Sequence, residues 1–359
     1  MNNKSELLNM LGDQCLSFVR GTGRRQTAPY LERAEKYFRD SISLDRGEIF
    51  AKTTLAEILV WTGRLDEAIS LCNKLTDEIG FEQDVMLLRI IANINSGRID
   101  EALRELNTLR KINPHSAVLQ RYEGMCWFYK GDVLSGWREV RSAFNFENLR
   151  VRYKNLQSWR GEDLTDKTLV ITMLDIRGGG DEIYFASVLP SVIEKAKLCF
   201  IETDVRAFKL FESSFPNSVI FVKGSEPWAE MGIKVDYHTW TRELACALND
   251  NRAYTNSRPT YLSLSRKDQS YWDDRIDSLA KGKLKIGICW TSFRPVGLKS
   301  YFYTSLFDWQ PIFQLENAIF INMHGMDGWA EIKSVEDRFG IKIHTIEEAD
   351  YFNKFHHMA

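Results

Sequence analysis

The sequence predicts two architectures in one chain, a helical solenoid over the first third and parallel α/β structure after it. Two series of small residues predict the solenoid. Ala34, Ala68 and Ala102 are each 34 residues apart, and so are Gly63, Gly97 and Gly131, with Gly136 in the fourth slot of the alanine series. One local pattern predicts the α/β part: an apolar run, Leu169 to Leu174, enters consecutive glycines and then a helical stretch.

A 34-residue period marks a two-helix repeat. The glycine ends the first helix, where the turn asks for a positive φ. The small residue lets the second helix pack closely on its partner. Leu65, Ala68, Ile69 and Cys72 give the 3, 4 and 7 spacing of one buried helical face. Pro114 stands where the second helix of the third repeat should stop. Trp61, Trp127 and Trp137 fall at repeat positions where aromatic packing accounts for them.

After residue 150 the helical period fades. Strands are predicted at LVITML (169 to 174), LCFIET (198 to 203) and SVIFVKG (218 to 224), with helices between them. Strand, glycine turn and helix open a doubly wound sheet. The run Gly178-Gly179-Gly180-Asp181 lacks both the spacing of a dinucleotide fingerprint and the Lys-Ser/Thr ending of a P-loop. Its amides at a helix N-terminus favour anions. Asp181 is read two ways, as the cap of that helix and as a general base facing the crevice. SRKDQSYWDDRIDSL (265 to 279) is predicted as a solvated amphipathic helix leading to a second α/β segment. That segment has strands at LKIGICW (284 to 290), AIFINMHG (318 to 325) and IKIHTI (341 to 346). The polar loop after its first strand carries Arg294 and Lys299, read either as a diphosphate site or as a solvated loop.

Composition excludes several classes. Across 359 residues, 47 Lys and Arg face 49 Asp and Glu for a net charge of -2. Nucleic-acid binding by bulk electrostatics needs a basic surplus. No apolar run approaches the roughly 18 residues that cross a bilayer. The start, MNNKSELLNMLGDQC, lacks the pattern of a secretory signal, so a cytoplasmic protein is expected. Six dispersed cysteines without CxxC read as buried thiols, with no metal site implied. His356 and His357 are read as a solvated tail. His238, in DYHTW, is read as a loop histidine, structural or part of a site.

The repeats resemble the tetratricopeptide (TPR) family over residues 28 to 146, about three and a half repeats. Stacks of this kind form a groove that takes peptides or packs against a neighbouring domain. GDVLSGWREV (131 to 140) is followed by Trp159 to Glu162, GGGDEIYFASVLP (178 to 190), KIGICW (285 to 290), KSYFYTSLFDW (299 to 309), FINMHG (320 to 325) and EEADYFNKF (347 to 355). This ordered series resembles bacterial TPR proteins carrying a glycosyltransferase-like domain of GT-B fold, similar to heptosyltransferases and O-linked sugar transferases. The resemblance spans residues 28 to 355.

It implies a TPR solenoid over 1–150, a first Rossmann-like domain on the acceptor side over 151–282 with a linker at 151–166, and a partial second one on the nucleotide-sugar side over 283–359. It implies metal-independent sugar transfer, with a nucleotide-sugar as donor substrate, no cofactor, and a protein or glycan acceptor or partner recruited by the repeats. Asp181 would be the base, Gly178, Gly179 and Gly180 the anion loop, and Trp290, Ser292, Arg294, Lys299 and His324 the donor side. From residue 283 there are 77 residues, room for about three strands where a full half has five or six, so an incomplete second half is expected. The alternative function is a non-catalytic TPR scaffold with a degenerate transferase domain.

Overall fold

The computed structural model describes residues 2–22, 28–45, 48–143, 153, 155–173, 179–248, 260–291, 303–324 and 328–358. They form two compact units, Met1–Lys130 with Trp290–Trp309, and Gly131–Cys289 with Gln310–Ala359.

The first unit begins with α1 (Asn2–Thr22), α2 (Ala28–Leu44), α3 (Ile49–Trp61), α4 (Leu65–Ile79), α5 (Gln83–Asn95), α6 (Ile99–Ile112) and α7 (Ala117–Tyr129). Consecutive helices pack on one another. The hairpins α3–α4 and α5–α6 are two-helix repeats built alike. In each, the turn glycine has a positive φ, 74° at Gly63 and 78° at Gly97. The next amide closes the helix end: Arg64 N–H donates to Leu59 O at 2.9 Å, and Arg98 N–H to Asn93 O at 2.8 Å. This is the Schellman closure that left-handed glycine permits. Ala34, Ala68 and Ala102 are fully buried, as the period requires. Basic residues of the turns reach back one repeat: Arg64 pairs with Glu35, Arg98 with Asp66 at 2.5 Å, and Lys130 with Asp100 at 2.7 Å. Apart from the half-buried Glu35, these side chains lie in solvent, so the pairs set register more than strength.

The repeat also begins earlier than the sequence shows, because α1 packs along α2 and places Leu16 in the same core as Ala34 and Phe38. Ala102→Leu adds three carbons to a filled space beside Leu106 and Leu109. We expect it to cost about 1–3 kcal/mol, while Asn107→Leu on the exposed face of α6 should cost little. Equal melting points for the two variants would refute this packing.

The second unit holds α8 (Val133–Ala143), whose Trp137 packs edge-on against Phe185 with ring centroids 5.4 Å apart. The second helix of the fourth repeat thus belongs to the α/β core. Its strands are β1 (Gln157–Ser158), β2 (Thr168–Thr172), β3 (Leu198–Thr203), β4 (Val219–Val222) and β5 (Tyr237–Trp240). They form one parallel sheet in the order β1-β5-β2-β3-β4. Leu169, Val170 and Ile171 are fully buried, which explains the unbroken apolar run of a strand covered on both faces. A second parallel sheet has the order β6-β7-β8, from β6 (Leu284–Ile288), β7 (Ala318–Asn322) and β8 (Ile343–His344).

Two readings are corrected. DYHTW is not a loop: residues 237–240 are β5, inserted beside β2 with Val170 opposite His238. The run is short and mostly polar, which hid it. His356 and His357 are not a solvated tail. His356 is buried, and the His357 ring packs against Trp272 at 5.0 Å. The helix predicted before the second sheet is present as Arg266–Ala280, with Ser265 accepting from Asp268 N–H as its cap. Its Trp272, Ile276 and Leu279 pack on the second sheet.

Candidate functional site

Strand order points to one place. From β2 the chain moves outward through β3 and β4, then returns to put β5 on the other side of β2. Neighbouring connections that leave in opposite directions open a crevice at the carboxyl ends of the two strands. Here those ends are Thr172 and Trp240.

The helix Gly179–Ala186 enters near the end of β2, after residues 174–178, which lie outside the described set. Gly178 is among them. Gly180 and Asp181 are exposed in the first turn of that helix. Gly179 is glycine for a packing reason. A Cβ there would sit 2.1 Å from the Phe355 ring, so the aromatic occupies the space of any side chain.

The buried carboxylate beside this turn is Glu182, which the sequence reading passed over. Its oxygens accept from Thr203 Oγ1–H at 3.1 Å and Asp204 N–H at 3.0 Å. It thereby ties the glycine helix to the loop after β3. Asp204 in turn holds Arg206 at 2.7 Å, and the Arg206 guanidinium lies 5.0 Å from the Phe355 ring centroid. Burial pushes the Glu182 carboxyl up to about 7, against the two hydrogen bonds that favour its charged form. A signal for it was present. Glu182, Phe185 and Ala186 share one buried face at spacings of three and four. Asp181 points away because it is one position off that face.

Glu182 gives the unit a pH dependence. Its folded value is raised above the ordinary 4.5, so its full contribution is present below 4.5 and is lost as pH rises through about 7. The loss amounts to about 3 kcal/mol. We expect Glu182→Gln to abolish this slope in urea unfolding followed on both sides of the window. An unchanged slope would show that Glu182 ionises without penalty.

His238 lies on β5 beside β2, opposite Val170, and is buried. Its Nε2 is hydrogen-bonded to Thr172 Oγ1 at 3.0 Å, and its ring stacks on Tyr153 at 4.6 Å. Burial pulls it down to about 3, so it is neutral at neutral pH. The cysteines are not all buried as expected: Cys72, Cys126 and Cys199 are, Cys15 and Cys246 are half-buried, and Cys289 is exposed. Desolvation pushes the Cys199 thiol up to about 12.

Of the donor-side residues, the structure describes Trp290 and His324. Ser292, Arg294 and Lys299 lie outside the described residues. Trp290 is buried just beyond β6. His324 is half-buried just beyond β7, its N–H donating to Asn322 Oδ1 at 2.8 Å. Among the described residues, no group of three His, Cys, Asp or Glu is placed to hold a metal ion. No helix among them is long and apolar enough to cross a membrane.

The chain matches no family model. It is similar to protein FlbA of Caulobacter vibrioides, 24% identical over 282 residues, a match covering 73% of this chain and 46% of FlbA. The chain therefore spans about half the length of this curated relative. Among solved structures, MamA from Desulfovibrio magneticus aligns with 42% of this chain and 79% of its own, at 15% identity and a TM-score of 0.35. The TPR protein TTC0263 of Thermus thermophilus aligns with 40% and 75%, at 15% identity and a TM-score of 0.34. A tetratricopeptide repeat protein of Parabacteroides merdae aligns with 41% and 57%, at 17% identity and a TM-score of 0.32. The repeat assignment rests on the chain's own hairpins.

Proposed function

We propose that this chain is a repeat-guided glycosyltransferase-like protein of GT-B type. Its helical hairpins dock a protein or peptide, and its α/β unit transfers a sugar from a nucleotide-sugar to a protein or glycan acceptor. The observation that carries the reading is the reversal of strand order at β2, which opens a crevice where the glycine helix and the exposed Asp181 begin. In this reading an acceptor hydroxyl gives its proton to the Asp181 carboxylate as its oxygen bonds to the anomeric carbon. The bond from that carbon to the donor's phosphate oxygen breaks, and the nucleotide leaves. The amides of Gly178, Gly179 and Gly180 and the side chains of Trp290, Ser292, Arg294, Lys299 and His324 would bind the anionic groups and the donor. The nucleotide-sugar is a substrate, and the chemistry proposed needs no resident cofactor or metal. The setting proposed is the cytoplasm, with 1–150 as the docking region, 151–282 as the acceptor side and 283–359 as the donor side.

A second reading, a TPR scaffold whose α/β unit no longer catalyses, is favoured by the second sheet, which has three strands among the described residues. A thermal-shift titration against UDP-, GDP-, CMP- and ADP-sugars separates the two. Binding to the folded state stabilises it by about 2.7 kcal/mol at a hundred times the dissociation constant. A shift with one donor class is the expected result, and Asp181→Ala should keep that shift while losing turnover. No shift with any donor, from folded protein, would leave the scaffold reading. Unchanged turnover in Asp181→Ala would remove the base assignment.

A further inference from the structure

The open side of β6 is the feature that the proposed function leaves unused. Leu284 N–H donates to Asn317 O at 2.8 Å, and Ile288 O accepts from Met323 N–H at 2.9 Å. Leu284, Ile286 and Ile288 therefore turn their backbone groups toward β7. Alternation along the strand turns those of Lys285 and Gly287 the other way. Among the described residues no strand pairs on that side. Leu284 is 58% exposed. Proteins commonly guard such an edge with a charged side chain. Here the one charge on the strand is drawn aside, because Lys285 Nζ lies 2.5 Å from Asp277 on the helix Arg266–Ala280.

We propose that this edge is a homodimer interface, in which β6 of one protomer pairs antiparallel with β6 of a second copy across a two-fold axis at Ile286. The strand sequence, Leu-Lys-Ile-Gly-Ile, suits a second copy in this register. A two-fold must pair outward-facing residues with outward-facing ones. Centring on Lys285 would oppose two like charges. Centring on Ile286 sets each Lys285 against the partner's Gly287, which has neither charge nor side chain. It also sets Leu284 against the partner's Ile288, and Ile286 against itself, so the apolar faces of the two sheets become continuous. Lys285 and the partner's Gly287 then exchange both backbone hydrogen bonds, and the two-fold repeats the exchange. A second copy fits this edge better than an unrelated strand because the pattern is its own complement.

Light scattering on the eluting full chain should give twice its 41.7 kDa mass, falling to the monomer on dilution. Gly287→Pro removes an outward N–H that the internal ladder does not use, a substitution that edge strands accept. It should halve the mass and leave the circular dichroism unchanged. A monomer at every concentration of the unaltered chain overturns the proposal, and so does a dimer that Gly287→Pro leaves intact. Ile286→Cys tests the register even if the proline variant fails to fold. Across a non-hydrogen-bonded antiparallel pair the Cα atoms lie about 4.5 Å apart, within disulfide reach. Oxidation should yield a reducible covalent dimer that the unaltered chain does not form, and its absence overturns the register. Nucleotide-sugar binding reads a different part of the unit, so either proposal can fail alone.

Discussion

Gly161→Ala should destabilise the α/β unit by more than about 3 kcal/mol, the sum of a backbone strain and a clash that cannot relax. Gly161 has φ 109°, a region that side chains rarely enter. A Cβ there would lie 2.4 Å from the carbonyl oxygen of Ala247. The surrounding turn cannot move away. Trp159 Nε1–H donates to Glu162 O at 2.8 Å, Arg160 N–H donates to the Glu162 carboxylate at 2.6 Å, and Trp159 N–H donates to His238 O at 2.8 Å. A matched control exists in the same unit. Gly224 has φ 108°, with nothing within 4 Å of its Cβ position. Gly224→Ala pays only the strain, about 1–3 kcal/mol. The difference between the two urea midpoints measures the clash, and equal losses would show that the chain at Ala247 yields.

The second large effect lies on the acid side. His238 is held neutral, its folded value lowered from 6.5 to about 3. The unfolded chain takes up this proton first as pH falls. Its contribution is therefore full above 6.5 and is lost as pH falls through about 3, some 3.5 units, or about 5 kcal/mol. Glu182 acts in the opposite sense between about 7 and 4.5, so the two partly offset there. Below 4.5 the histidine acts without that offset. His238→Asn has no charge to gain, so its stability should fall far less steeply with acid than that of the unaltered chain. Ionisations common to both proteins cancel in the difference. Parallel curves would mean that the imidazole is protonated without unfolding.

The two sites were legible to different degrees. The strand–glycine–helix unit could be read, since β2 is one apolar run and the glycines follow it directly. The reading of this helix settled on Asp181, the residue beside the glycines, and missed Glu182, although the helical period singles out Glu182 as inward-facing. β5 could not be read, because YHTW is four residues long and has no alternation. It is a strand only because Leu169 to Thr172 of β2 and Gln157–Ser158 of β1 offer it partners on both sides. The burial of His238 follows from that pairing. Gly179 illustrates the same limit. Its position in a glycine run suggests room for a ligand, and the structure fills that room with Phe355 from the far end of the chain.

The sequence by itself determined the helical hairpins and the parallel character of the α/β part. Both are written in local, repeated terms: a 34-residue period, a left-handed glycine in each turn, and apolar runs too continuous for a solvated face. Only the tertiary structure decided that α8 packs into the α/β core, that β5 returns beside β2 to open the crevice, and that Glu182 and His238 are buried where their charge is costly. Each depends on contacts between segments far apart in the chain, and desolvation is a property of what surrounds a group, which no local pattern encodes.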